Sequence, residues 1–137
     1  MPSNRLLFIS ENIFRLRKED RVVGSYLYDK FNQTIARVDG VLAESGTYLP
    51  RYLVINFGGF LTIGGKKITL PVEICEFADL GKVKTEWSKE SMKDAPAPNS
   101  LDDISMDEEE LILGYFDLEP YWAVNPSSKD DPENKQG

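Results

Sequence analysis

The residues able to do chemistry in this chain are carboxylates, one thiol and a glycine-rich run beside two lysines. The carboxylates are densest at Asp102-Asp103 and across Asp107–Glu110. Such groups serve as general acids or bases, or as ligands for Ca²⁺ or Mg²⁺. The chain has no histidine. That removes the usual general base at neutral pH, the common serine and cysteine triads and the commonest metal ligand. The EF-hand spacing with its central glycine is also missing. Ser105-Met106-Asp107-Glu108 reads instead as a capping box, in which the serine oxygen takes the Glu108 N–H and the glutamate reaches back. Asp107–Glu110 then fill the first turn of a helix, where the dipole favours negative charge.

The single thiol, Cys75, sits in the apolar segment Val72–Phe77 between Glu73 and Glu76. A reactive thiol needs a basic neighbour, so the segment predicts a small buried hydrophobe. Gly59–Lys67 invites comparison with a phosphate loop. Gly65 occupies the place of the lysine that should follow the second glycine, no Ser or Thr follows the lysine, and strand-forming residues come next. The run reads as a hairpin connection with glycines for positive φ. Asn32-Gln33-Thr34 matches a glycosylation sequon and reads as a turn. No catalytic residue, metal ligand or cofactor site is expected.

The elements that would carry these groups are short. Strands are predicted at Val22–Tyr28, Thr34–Ala43, Arg51–Phe57, Lys67–Leu70, Val72–Phe77 and Lys82–Trp87. In the second, Ala36, Val38, Gly40 and Leu42 share one face, with Arg37 and Asp39 on the other. Tyr52-Leu53-Val54-Ile55 is apolar on both faces and predicts a central strand or one under a second layer. In the last, Val83, Thr85 and Trp87 point inward. Ser88–Lys93 suits one helical turn, and residues 94–99 form a proline-bearing linker. A helix is predicted from Met106 to Asp117, with a stripe of Leu111, Tyr115 and Leu118 beside Ile112 and Phe116. Residues 1–19 fit a helix through Ile9, Ile13 and Leu16, or a strand through Leu6 and Phe8.

Charge is uneven: net +2 over residues 1–19, zero over 20–87 and −9 over 88–137. The acidity belongs to the C-terminal third. Phosphate binding needs a basic face, so nucleic acid is not an expected partner. No apolar run reaches membrane-spanning length and Leu6–Ile9 is too short for a secretory signal. The expected location is cytoplasmic. The expected divisions are a packing segment (1–19), a β domain (20–87), a linker with a helix (88–123) and a disordered tail (124–137).

Within the β domain, four pieces occur in order: Gly24–Asp29, Ile35–Leu42, Pro50–Ile55 and Lys67–Glu73. In hydrophobic spacing and order they resemble the PRC-barrel family, named for the cytoplasmic domain of the photosynthetic reaction-centre H subunit. Pro120-Tyr121-Trp122 is similar to the aromatic ending of stand-alone bacterial members. Ala36 departs from a frequent family glycine, and Phe31-Asn32-Gln33 replaces a glycine-bearing turn. The resemblance implies a mainly β chain with a small barrel of about six strands and a C-terminal helix. It also implies a non-enzymatic protein–protein interaction module, a homodimer in some members.

The interface expected on the residues themselves is apolar: Phe57, Phe60, Leu61 and Ile63 around the glycine-rich hairpin, with Tyr115, Tyr121 and Trp122 near the end. A second expectation is contact with a membrane surface or membrane complex. Arg5, Arg15, Arg17 and Lys18 beside Leu6–Ile9 and Phe14 motivate it.

Overall fold

The computed structural model describes residues 5–57, 66–78 and 81–123. The elements are β1 (Leu6–Ile9), β2 (Tyr26–Tyr28), β3 (Thr34–Glu44), β4 (Pro50–Phe57), β5 (Lys66–Pro71), β6 (Cys75–Phe77), β7 (Lys82–Thr85), α1 (Lys89–Met92) and α2 (Met106–Tyr115). The chain is mainly β, and its strands join one sheet in the order β5-β4-β3-β2-β7-β6, with β1 on β3. The strand beyond the expected six is β1. Its segment left helix and strand open, and pairing with β3 resolves it, while Ile13–Arg15 forms a single 3-10 turn.

β3 is the spine. One edge takes β4 along most of its length. The other edge takes β2 over Thr34–Arg37 and β1 over Val41–Glu44. The expected alternation appears in its first half, where Arg37 is exposed and Ala36 and Val38 are buried. Beyond Gly40 both faces are covered, and Val41, Leu42 and Ala43 are all buried. Gly40 is where Phe8 crosses the strand. A Cβ there would stand 2.8 Å from Phe8 Cζ and 3.0 Å from the Ile9 carbonyl oxygen. In β4, Tyr52, Leu53, Val54 and Ile55 are fully buried between β3 and β5, as two apolar faces require.

β5 and β6 lie at opposite ends of the strand order, yet only the 3-10 turn Val72–Ile74 separates them in the chain. Five flat strand steps would put the ends about 24 Å apart. Four residue steps reach at most about 14 Å. The sheet therefore curls strongly. Among the described residues no ladder joins β5 to β6, so it remains open.

Three strand expectations are corrected. The strand in Val22–Tyr28 starts at Tyr26, because residues 22–25 form a turn through Gly24 at φ 90°, closed by Ser25 N–H on the Val22 carbonyl and tied to β3 through Val38. The Val72–Phe77 strand starts at Cys75, after the turn that carries the chain across the curl. The Lys82–Trp87 strand stops at Thr85; within it Val83 and Thr85 are buried and Lys84 exposed, as the pattern predicts, while Trp87 is half-buried beyond its end.

α2 has the expected capping box, with Glu108 N–H donating to Ser105 Oγ at 3.1 Å and Ser105 N–H to Glu108 Oε1 at 3.0 Å. It ends at Tyr115 rather than Asp117, which takes φ 61°. Its buried face is also shifted from the expected stripe. Glu109, Ile112, Leu113 and Phe116 are buried, while Leu111 is 65% exposed. α2 packs on β5. Trp87 closes one side, edge-on to Phe116 at 4.9 Å between ring centroids. The linker before α2 is irregular and anchored by buried Ala95 and Ile104.

Candidate functional site

Two features stand out beyond packing. The first is built on Glu109. It lies one turn into α2, and the helix turns it toward the sheet with no side-chain exposure. Its Oε1 accepts from the Tyr52 hydroxyl of β4 at 2.6 Å and from Tyr121 at 2.8 Å. Its Oε2 pairs with the guanidinium of Arg5, just ahead of β1. Arg5 also lies over the Trp122 ring. Arg51 stacks on Tyr121 at 4.0 Å from the ring centroid and pairs with Glu44 at 2.6 Å. One carboxylate thus ties the start of β1, the middle of β4, α2 and the C-terminal aromatics together.

The electrostatics keep this cluster closed. Burial, then hydrogen bonding to Glu109, raises both tyrosine pKa values, so both hydroxyls stay protonated donors. Burial works against the Arg5 charge, but Glu109 and Tyr121 together outweigh it and raise the guanidinium pKa. Both glutamate oxygens are thereby occupied by the chain's own donors. The arrangement holds elements in place.

Cys75 is half-buried rather than the expected buried hydrophobe, because it lines a cleft that also holds Lys30 and Lys84. Cys75 lines a cavity of about 440 Å³ with Asp29, Lys30, Glu73, Glu76 and Lys84. Burial, then the negative charge of Glu73, pushes the thiol up to about 12. At neutral pH it is a thiol and not a thiolate. Among the described residues, no cluster of three or more acidic or thiol side chains could hold a metal ion.

The second feature is the edge of β1. Ser45 N–H donates to the Arg5 carbonyl at 2.9 Å, so Arg5 and Ser45 form a hydrogen-bonded pair. Antiparallel pairs alternate. With the observed register, Leu7–Ala43 and Ile9–Val41 are the next such pairs. Leu6 and Phe8 then turn their N–H and C=O groups away from β3. Among the described residues no backbone partner meets them there. A groove of about 540 Å³ runs along this edge, lined by residues 6–12 with Arg15, Tyr48 and Asp102.

The expected interface residues fall in three places. Tyr115 is half-buried beside Trp87 and Phe116, and its hydroxyl donates to the Ser91 carbonyl. Tyr121 and Trp122 lie together in the Glu109 cluster, 4.9 Å between ring centroids. Phe60, Leu61 and Ile63 lie outside the described residues, as does any account of the Phe57 side chain. The sequence marks Glu109 only as one of four first-turn acids, Arg5 only as part of a basic membrane-contact set and Tyr52 only as part of an apolar strand, so their cluster is not foreseen. One signal was available: position 109 completes a helical face with 112, 113 and 116 at i, i+3, i+4, i+7.

No family model matches this chain, and no curated protein is significantly similar to it.

Proposed function

We propose that this chain is a non-enzymatic protein-interaction module of PRC-barrel-like architecture that works as a homodimer. The observation that carries the reading is the outer edge of β1, which meets no backbone partner among the described residues, beside an open groove. A sheet edge with unmet backbone groups is a template for another strand. The strong curl that brings β5 round to β6 supports the barrel-like architecture. Phe57, Phe60, Leu61 and Ile63 of the hairpin, with the exposed parts of Tyr115, Tyr121 and Trp122, are further candidate contacts. Light scattering across a concentration series tests the reading. The expected mass is twice the 15.5 kDa of the chain. A monomer at every concentration overturns it. Phe60→Asp in the same assay separates a hairpin interface from one elsewhere.

One observation favours a second reading, contact with a membrane surface. Phe14 is 75% exposed, with the Arg21 guanidinium 5.0 Å from its ring centroid and Arg15, Arg17 and Lys18 close in sequence. Most of the remaining apolar side chains of this segment are used internally, since Leu6, Ile9 and Leu16 are buried. Co-sedimentation with anionic vesicles, lost in Phe14→Ser, would support this reading. Equal recovery of both proteins in the supernatant would overturn it.

A further inference from the structure

Sheet edges in this fold are treated unequally. The β5 edge begins with Lys66-Lys67, ends in Pro71 and has α2 packed on it. The β6 edge is three residues long with exposed Glu76 at its centre. Lysine, proline, shortness and central charge are the devices that keep edges from pairing. β1 is only one residue longer than β6, but it carries no lysine, proline or charge. Its residues are Leu6, Leu7, Phe8 and Ile9, and its register on β3 runs without a bulge.

We infer that the free edge of β1 pairs antiparallel with β1 of a second copy of this chain, in the register that sets Phe8 opposite Phe8. This deepens the interaction reading above and rests on it. The choice of register follows from hydrogen-bond parity and charge. Leu6 and Phe8 face outward, so only even-numbered residues can form the new hydrogen-bonded pairs. Leu6 opposite Leu6 would put Arg5 against Leu7. Leu6 opposite Phe8 would put Arg5 against Ile9. Phe8 opposite Ser10 would put Leu7 against Glu11. With Phe8 opposite Phe8, Leu7 meets Ile9 within the strands, and Ser10 and Glu11, which bend just beyond Ile9, come opposite Leu6 and Arg5 of the other copy at both ends. Opposite charges directly across a ladder stabilise it and like charges destabilise it. Arg5 spends one nitrogen on Glu109 and keeps about a third of its side chain exposed. Its fork has donors left for a second carboxylate. Glu11 is exposed and its side chain makes no hydrogen bond or ion pair to any described residue. Tyr48 and Arg15 on the groove wall flank the added strand.

The test is amide hydrogen exchange on the full chain at low and high concentration, with light scattering on the same samples. The expected result is a dimer in which the Leu6 and Phe8 amides gain protection as concentration rises. Glu11→Arg places like charges opposite each other and weakens the dimer by about tenfold or more. Ser10→Pro removes an outward donor at the end of the ladder and has the same sign, with the urea midpoint reporting that each variant folds. A dimer whose Leu6 and Phe8 amides exchange at one rate at all concentrations overturns the pairing and leaves the interaction reading standing. Protected amides in a monomeric chain show that another part of the same chain covers β1, which overturns it too. A monomer with unprotected Leu6 and Phe8 amides overturns both.

Discussion

The Tyr52 hydroxyl meets the Glu109 carboxylate at 2.6 Å inside the core, across 57 residues of sequence. That contact, with Arg5 and Tyr121 on the same carboxylate, fastens the acidic helix to a sheet otherwise built from apolar strands. Removing the carboxylate leaves a partly buried cation and two hydroxyls without their acceptor. Glu109→Ala is expected to cost about 3 kcal/mol, the lower end for a broken buried pair because Arg5 keeps part of its hydration. Glu109→Gln retains a carbonyl acceptor and is expected to lose less. Urea unfolding of the three proteins measures both.

The same cluster predicts an alkaline limb. Tyr52 and Tyr121 have folded-state pKa values above the ordinary value of 10, first through burial and then through Glu109. The unfolded chain ionises first as pH rises. Stability is then full below about pH 10 and falls above it. Tyr52→Phe costs about 1–2 kcal/mol at neutral pH and flattens that limb. Unfolding free energies from neutral pH to above pH 10 check the sign.

Gly40 is expected to resist any side chain. Its missing Cβ is the floor on which the Phe8 ring rests, and the Ile9 carbonyl blocks an alternative direction. Gly40→Ala is expected to destabilise by about 1–3 kcal/mol. In a Phe8→Ala background the same change costs less, because the ring has gone and only the carbonyl contact remains. A double-mutant cycle in urea reads the coupling.

The cap of α2 predicts an acid limb. Glu108 accepts from the backbone N–H of Asn99 and of Ser105, and these bonds hold its pKa below the usual carboxylate value. Its contribution is present above about pH 4.5 and is lost as pH falls through the lower folded-state value. Ser105→Ala removes the reciprocal bond and is expected to cost about 1 kcal/mol. Helicity by circular dichroism against pH compares the two proteins.

Cys75 is expected to react slowly with iodoacetamide in the folded chain at neutral pH, and at the rate of an ordinary thiol in urea. In the folded state the rate climbs with pH toward about 12. A folded-state rate equal to that in urea at pH 8 would show an accessible thiolate and contradict the burial that sets the shift.

Much of this chain was legible without a structure, where the signal is local. Val83 and Thr85 face inward because alternation follows from the strand itself, whereas Trp87 lies beyond the strand and packs on Phe116. The Ser105–Glu108 cap could be read because both partners lie within one turn. Cys75 could be read from the two glutamates beside it. Among the described residues no continuous ladder makes the barrel closure expected from the family resemblance. The curl behind it depends on a three-residue turn at Val72–Ile74 that resembles a continuing strand in sequence.

Tertiary structure alone decided what meets the buried acid of Asp107–Glu110, which way residues 6–9 pair and which edges stay open among the described residues. The physical reason is distance along the chain. Arg5 lies 104 residues from Glu109 and Tyr52 lies 57 from it, so no window of sequence contains the partners that make a buried carboxylate acceptable. Leu6–Ile9 is equally apolar as helix or strand. Only the unfilled upper half of one β3 edge, beyond the end of β2, made it a strand, and that placement left its other edge without a backbone partner among the described residues.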